Sequence, residues 1–190
     1  TFAKPERENC DGYAYDPENP SQHIIDMSEN EIEVPEDYTR EELRQDLLCY
    51  TSPVLKEDLV LTGDMTAELY ISSDAPDTDF VVRVTDVDEN GRSIKLADGL
   101  LSARYRNGFA RSEFLQEGEI VCLKIRTTKL SNCFRKGHRI RVTVTSSAKN
   151  FIFPNSNTRE GFASARTVVA HNRVYHGGLH ASRLTARVEP

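Results

Sequence analysis

Thr66–Gly91 reads TAELYISSDAPDTDFVVRVTDVDENG. Its first seven residues, through Ser72, alternate apolar and polar side chains, and Phe80–Val87 form a second run rich in β-branched residues. Both patterns are those of strands whose successive side chains point to opposite faces. The aspartate-rich loop between them is turn chemistry, and DENG (Asp88–Gly91) closes a hairpin because Gly91 can take the positive φ that such turns require. Further strands are expected in EIVCLKIRTTKL (Glu119–Leu130), RIRVTVTSS (Arg139–Ser147), RTVVAH (Arg166–His171) and LTARV (Leu184–Val188), and DLLCYTS from Asp46 has strand composition. In Arg139–Ser147, Ile140, Val142 and Val144 share one face, while Arg139, Arg141, Thr143 and Thr145 share the other. No strand is followed by an amphipathic helix, which excludes βαβ architectures and predicts an all-β, jelly-roll β-sandwich.

Upstream of these strands, Pro5, Pro17, Pro20 and Pro35 block any long helix, so residues 1–38 read as an extended arm and 39–190 as the sandwich. TREE at Thr39–Glu42 fits a capping box, predicting a short helix to about Arg44. Tyr13, Tyr15, Ile24, Ile25, Ile32 and Val34 sit among prolines and acids, where no independent core can form. They must pack on the sandwich or on another domain, and Tyr13, Tyr15, Ile24 and Ile25 are the candidate interdomain contacts.

The 190 residues carry 24 basic and 30 acidic side chains. A net charge of −6 argues against a nucleic-acid partner, and no apolar run approaches the roughly 20 residues of a membrane-spanning helix. Charge is segregated: residues 1–60 hold 5 basic and 16 acidic side chains, and residues 121–190 hold 13 and 2. The two ends should attract each other. Cys10, Cys49, Cys122 and Cys133 form no CxxC pair, so no zinc or redox motif is indicated and cellular compartment stays open. The chain does not begin with Met and its start resembles no signal peptide, so a longer parent chain is the expectation.

GxSxG, HExxH, GxxxxGK[ST] and GxGxxG are all absent, and no catalytic residue is assigned. Asp74, Asp77 and Asp79 could offer oxygen ligands to Ca²⁺, but aspartates in turns more often bond nearby amides. A salt bridge from this loop to Arg139 or Arg141 of GHRIR is the preferred reading, through Asp79–Arg141 or else Asp77–Arg139. His171, His176 and His180 match no common zinc spacing. No metal or cofactor is expected.

YAYDPENP, DLLCYTSPVL with LTGDM, SSDAPDTDF, DGLLSARYR, GHRIR followed by TSS, and NSNT occur in order across nearly the whole chain. Together they resemble the C-terminal domain of X-Pro dipeptidyl-peptidases and cocaine-esterase-like acyl hydrolases. The resemblance implies a galactose-binding-like jelly roll packed on an upstream α/β-hydrolase domain that carries a serine, aspartate and histidine triad. The sandwich would be a companion that stabilises that domain and borders its cleft. In such enzymes the substrates are N-terminal dipeptides ending in proline, or esters and amides. The alternative is an independent carbohydrate- or ligand-binding jelly roll, although the chain has no Trp to serve as a sugar platform. The sequence leaves oligomerisation open.

Overall fold

A computed structural model describes residues 7–25 and 35–189. The strands are β1 (Asn9–Tyr15), β2 (Leu47–Thr51), β3 (Leu59–Gly63), β4 (Thr66–Ser73), β5 (Asp79–Val87), β6 (Ser93–Ser102), β7 (Val121–Arg126), β8 (Leu130–Phe134), β9 (Arg139–Thr145), β10 (Ala170–His176) and β11 (Arg183–Thr185). One sheet runs β1-β10-β4-β11, with β7 on the other edge of β4, and the second runs β2-β9-β5-β6. A small β3-β8 ribbon completes the fold. Every strand pair is antiparallel, as expected for an all-β sandwich built from local hairpins and longer return connections.

The period-2 pattern places Ala67, Leu69 and Ile71 of β4 against Phe80 and Val82 of β5 and Val144 of β9, all buried in one core. A smaller core joins Val84 to Leu61, Met65 and Phe134 under the ribbon. The hairpin between β5 and β6 turns at Gly91, whose φ of 84° would strain a residue bearing a Cβ.

The expected arm is in part an element of the sandwich. Asn9–Tyr15 pairs along its length with β10, and Tyr13, Tyr15 and Ile25 are 6%, 0% and 6% exposed within this domain. Three of the candidate interdomain contacts are therefore core residues, and Ile24 is half-buried, its amide bonded to the Tyr38 hydroxyl. Ile32 and Val34 lie outside the described residues.

Beyond β1, the chain crosses the outer face of the second sheet. Backbone bonds join His23 to Lys149, Tyr38 to Ser93 and Lys95 to Glu36. The face carrying Arg83, Thr85, Thr143 and Thr145, which alternation marks as polar, is consequently buried. Several hydroxyls bond within that layer: Ser93 Oγ donates to Glu42 Oε1 (2.8 Å) and shares a bond with Thr85 Oγ1 (2.7 Å), whereas the buried Arg83 guanidinium has no hydrogen-bond partner among the described residues and lies 3.8 Å from the Tyr38 ring centroid. The capping box does not form. Thr39 Oγ1 donates to Asp37 and accepts from the Ser93 amide, while Glu42 reaches into the layer to Arg141. Only a 3-10 turn, Glu41–Leu43, without a side-chain cap, remains of the expected helix.

The same layer holds a charge cluster. Lys95 Nζ lies 2.7 Å from Glu36 and 3.1 Å from Asp98, and the buried His23 Nε2 lies 3.6 Å from each of those carboxylates. Burial alone would raise the Asp98 pKa, but the neighbouring imidazole and ammonium outweigh it and hold it at about 2. A carboxylate depressed in the folded state contributes stability that is present above its unfolded value of 3.8 and is lost as pH falls toward 2. Asp98→Asn is expected to remove on the order of 2 kcal/mol at pH 7 and to flatten the loss of stability between pH 4 and 2. Urea unfolding across that range measures both effects.

Candidate interdomain face

Three loops meet at one end of the sandwich: that between β4 and β5, that between β6 and β7, and that between β9 and β10. Asp77, fully buried, is their common anchor. Its carboxylate accepts from the Arg104 amide (2.9 Å), from Arg104 Nε (2.7 Å) and from Asn155 Nδ2 (2.7 Å). The remaining Arg104 nitrogens donate to the carbonyls of Arg159 (2.9 Å) and Thr158 (3.0 Å). One ion pair thus ties all three loops together, and the fork geometry of the guanidinium suits it to do so.

Asn155 extends the network. Its Nδ2 also reaches Asp79 (3.0 Å), and its Oδ1 accepts from the Asn157 amide (3.0 Å). Asn157, at φ 62°, occupies the left-handed region that asparagine tolerates better than most residues, and its Nδ2 donates to the Val168 carbonyl (2.6 Å). Asp79 itself is forced upward in pKa, first by burial and also by the like charge of Asp77, despite bonds from Ser102 and Asn155. A carboxylate raised in this way costs stability while ionised, and the cost disappears as pH falls through its folded pKa. Asp79→Asn keeps an oxygen for Asn155 and removes the charge. It should leave the unfolding midpoint at pH 7 unchanged or raised; a clear fall would show that the ionised form is needed.

The expected Asp79–Arg141 and Asp77–Arg139 pairs do not form. Arg141 Nη1 instead binds Glu42 (2.5 Å), from the N-terminal segment that covers this face, and Arg139 Nη1 the Ser52 carbonyl (3.2 Å) just after β2. Asp74 pairs with His171 Nδ1 (2.7 Å), whose ring and amide it bonds together, and those bonds contribute to holding its pKa low against burial. His176 and His180 lie on Asp11 (3.3 Å) and Glu8 (2.7 Å), so the three histidines serve three different carboxylates. Among the described residues no cluster of His, Cys, Asp or Glu could hold a metal ion.

Above the buried network, the loops hold large apolar side chains in solvent. Phe153 and Phe162 are 79% and 74% exposed, and they stack with centroids 6.0 Å apart. Phe109, 80% exposed, packs on Tyr105, and Val168 and Val169 are partly open. Scattered exposed apolar residues are ordinary, whereas a stacked pair on a bonded loop end is a candidate interaction surface. Sequence reasoning assigned no role to Arg104, Asn155 or Phe162, although ARYR and NSNT were visible as strings. The exposure of Phe109 and Phe153 excludes both from the core.

A family model described as the X-Pro dipeptidyl-peptidase C-terminal non-catalytic domain matches residues 4–185. The chain is 36% identical over 184 residues to cocaine esterase of Rhodococcus sp., covering 93% of this chain and 32% of that enzyme. It is 33% identical over 157 residues to a putative serine esterase of Mycobacterium bovis, covering 73% and 23%. The chain thus spans about a third or less of the curated relatives it matches. An aminopeptidase from the marine sediment archaeon Thaumarchaeota archaeon shares the fold at TM-score 0.91 and 24% identity, over 100% of this chain and 35% of its own. An α-amino acid ester hydrolase does so at 0.88 and 23%, over 95% and 32%. With the family model covering nearly the whole chain and the fold shared throughout, the chain belongs to the family of X-Pro dipeptidyl-peptidase C-terminal non-catalytic domains.

Proposed function

We propose that this chain is the non-catalytic companion of a serine-hydrolase catalytic domain carried upstream in the same polypeptide, which it stabilises and whose substrate cleft it borders. The observation that carries this reading is the end face just described, where exposed Phe153 and Phe162 rise from loops clamped by Asp77, Arg104 and Asn155. Buried charge and asparagine bonding hold those loops in one conformation, so the aromatics are presented without an ordering cost at docking. The relatives above 30% identity are named esterases, which supports an ester- or amide-hydrolysing parent over a peptidase.

A glycan platform fits less well. Tyr70 and Tyr175 share one outer sheet face, but both rings are already engaged in T-shaped contacts with the His180 ring, at 5.4 and 6.1 Å.

The test is to produce the parent polypeptide whole and truncated before Thr1. Truncation should lower the thermal midpoint of the catalytic part and its kcat/KM on nitrophenyl esters. The 190-residue chain alone should neither turn over such esters or X-Pro anilides nor label with a fluorophosphonate, since it has no nucleophile elbow. An unaltered truncated enzyme would contradict the companion role.

A further inference from the structure

The two sheets do not close fully along the side where β1 and β11 face β2. Between them lies a cavity of about 460 Å³, walled by Ala67, Leu69, Val144, Val174 and Leu184, a size within the roughly 300–1,000 Å³ usual for small-molecule sites. The polar side chains in its lining are those of Asp11, Tyr50, His176, Ser182 and Arg183. The Asp11 carboxylate lies 3.3 Å from His176 Nε2, Arg183 is paired with Glu68, and Ser182 Oγ accepts from the Tyr70 amide (2.9 Å). Tyr50 is different: its hydroxyl is buried and meets no acceptor in full hydrogen-bond geometry among the described residues, although the Asp11 carboxylate lies close enough to it to compete as an acceptor. Burial, and after it the nearby Asp11 carboxylate, raise its pKa, so it stays protonated and able to donate.

An apolar wall holds water poorly, because a trapped water needs two to four polar partners. The Asp11 carboxylate in the lining disfavours an anion, and the Tyr50 hydroxyl offers an O–H donor that suits an uncharged acceptor. We infer that this cavity binds a small, uncharged, predominantly apolar molecule through a carbonyl oxygen that accepts from Tyr50 Oη, the apolar body lying between Ala67, Leu69 and Val174. The inference is independent of the companion role.

Acetophenone is a suitable probe, being neutral, non-hydrolysable and equipped with one carbonyl. Titrated into the 190-residue chain and followed by amide chemical shifts, it should bind with Kd near or below about 1 mM and shift residues 67, 69, 144 and 174. Ethylbenzene, which lacks the acceptor, and benzoate, which is charged, should each bind about tenfold more weakly. Ala67→Leu fills the cavity and should abolish binding with the unfolding midpoint kept or raised. Tyr50→Phe should weaken acetophenone about tenfold without loss of stability, since it removes a hydroxyl that meets no acceptor in full hydrogen-bond geometry. A fall in midpoint for Tyr50→Phe would show the hydroxyl to be structurally bonded and would overturn its assigned role. Absence of shifts at 10 mM acetophenone, or equal binding by Ala67→Leu, would overturn the site itself.

Discussion

Replacing Asp77 by Ala is expected to lower the unfolding free energy of the chain by about 3–5 kcal/mol, the cost of leaving a largely buried guanidinium without its counter-charge. Arg104 is 11% exposed and Asp77 not at all, so water replaces little of the lost interaction. The change also strands the Asn155 amide group, which retains only Asp79. Arg104→Ala should cost a similar amount, and the double variant less than the sum of the two, because each single change leaves one charge unpaired. Chemical denaturation of the four proteins completes the cycle. Strict additivity would mean that Asp77 and Arg104 act separately and that the three loops are not clamped by one pair.

The second large effect is on association rather than stability. Phe153→Asp and Phe162→Asp change side chains that are mostly in solvent, so each should move the stability of the isolated chain by no more than about 0.5 kcal/mol. In a docked interface the same side chains are candidates for the few anchors that dominate affinity, each worth about 2 kcal/mol or more. Each substitution should therefore weaken binding of the separately produced upstream domain about thirtyfold, and the aspartates add a desolvation cost at the contact. Loss of stability in the isolated chain with unchanged association would reverse the assignment and make the stacked pair a structural element of the loop.

Strands with strict alternation and a flanking turn were legible in the sequence. Thr66–Ser72, Phe80–Val87 and Arg139–Ser147 became β4, β5 and β9, and DENG became the hairpin between β5 and β6. β1 escaped because NCDGYAY sits among prolines and acids, where composition suggests an arm; its pairing with β10 joins residues some 160 positions apart. β6, Ser93–Ser102, is broken as a pattern by Lys95, Asp98 and Gly99. Gly99 is there for space, since a Cβ would lie 2.4 Å from the Arg126 carbonyl oxygen. Glu119–Leu130 looks like one strand, but it divides at Thr127, whose amide and hydroxyl bond Met65, into β7 and β8 of different sheets. RTVVAH was placed too early: Arg166–Val169 are exposed loop, and β10 begins at Ala170.

The site was less legible than the fold for a specific reason. Alternation tells which face a residue takes, but not what covers that face. Arg139 and Arg141 were put on the polar side of β9, yet the partner of Arg141 comes from the segment lying over it, and that residue, Glu42, was spoken for by an apparent capping box. Asp77 was expected to pair with Arg139, a bond that does not form. Its partner, Arg104, is 27 residues away at a 3-10 turn following β6, a position fixed only once the loop ends converge.

The most direct test of the companion-domain account is a calorimetric titration of the isolated 190-residue chain into the separately produced upstream domain. The account predicts saturable one-to-one binding with a negative heat-capacity change, the mark of apolar burial, at a contact of roughly 600–1,500 Å². It also predicts that Phe153→Asp weakens that binding. No measurable association with the upstream domain, combined with saturable binding of the isolated chain on a glycan array, would contradict it.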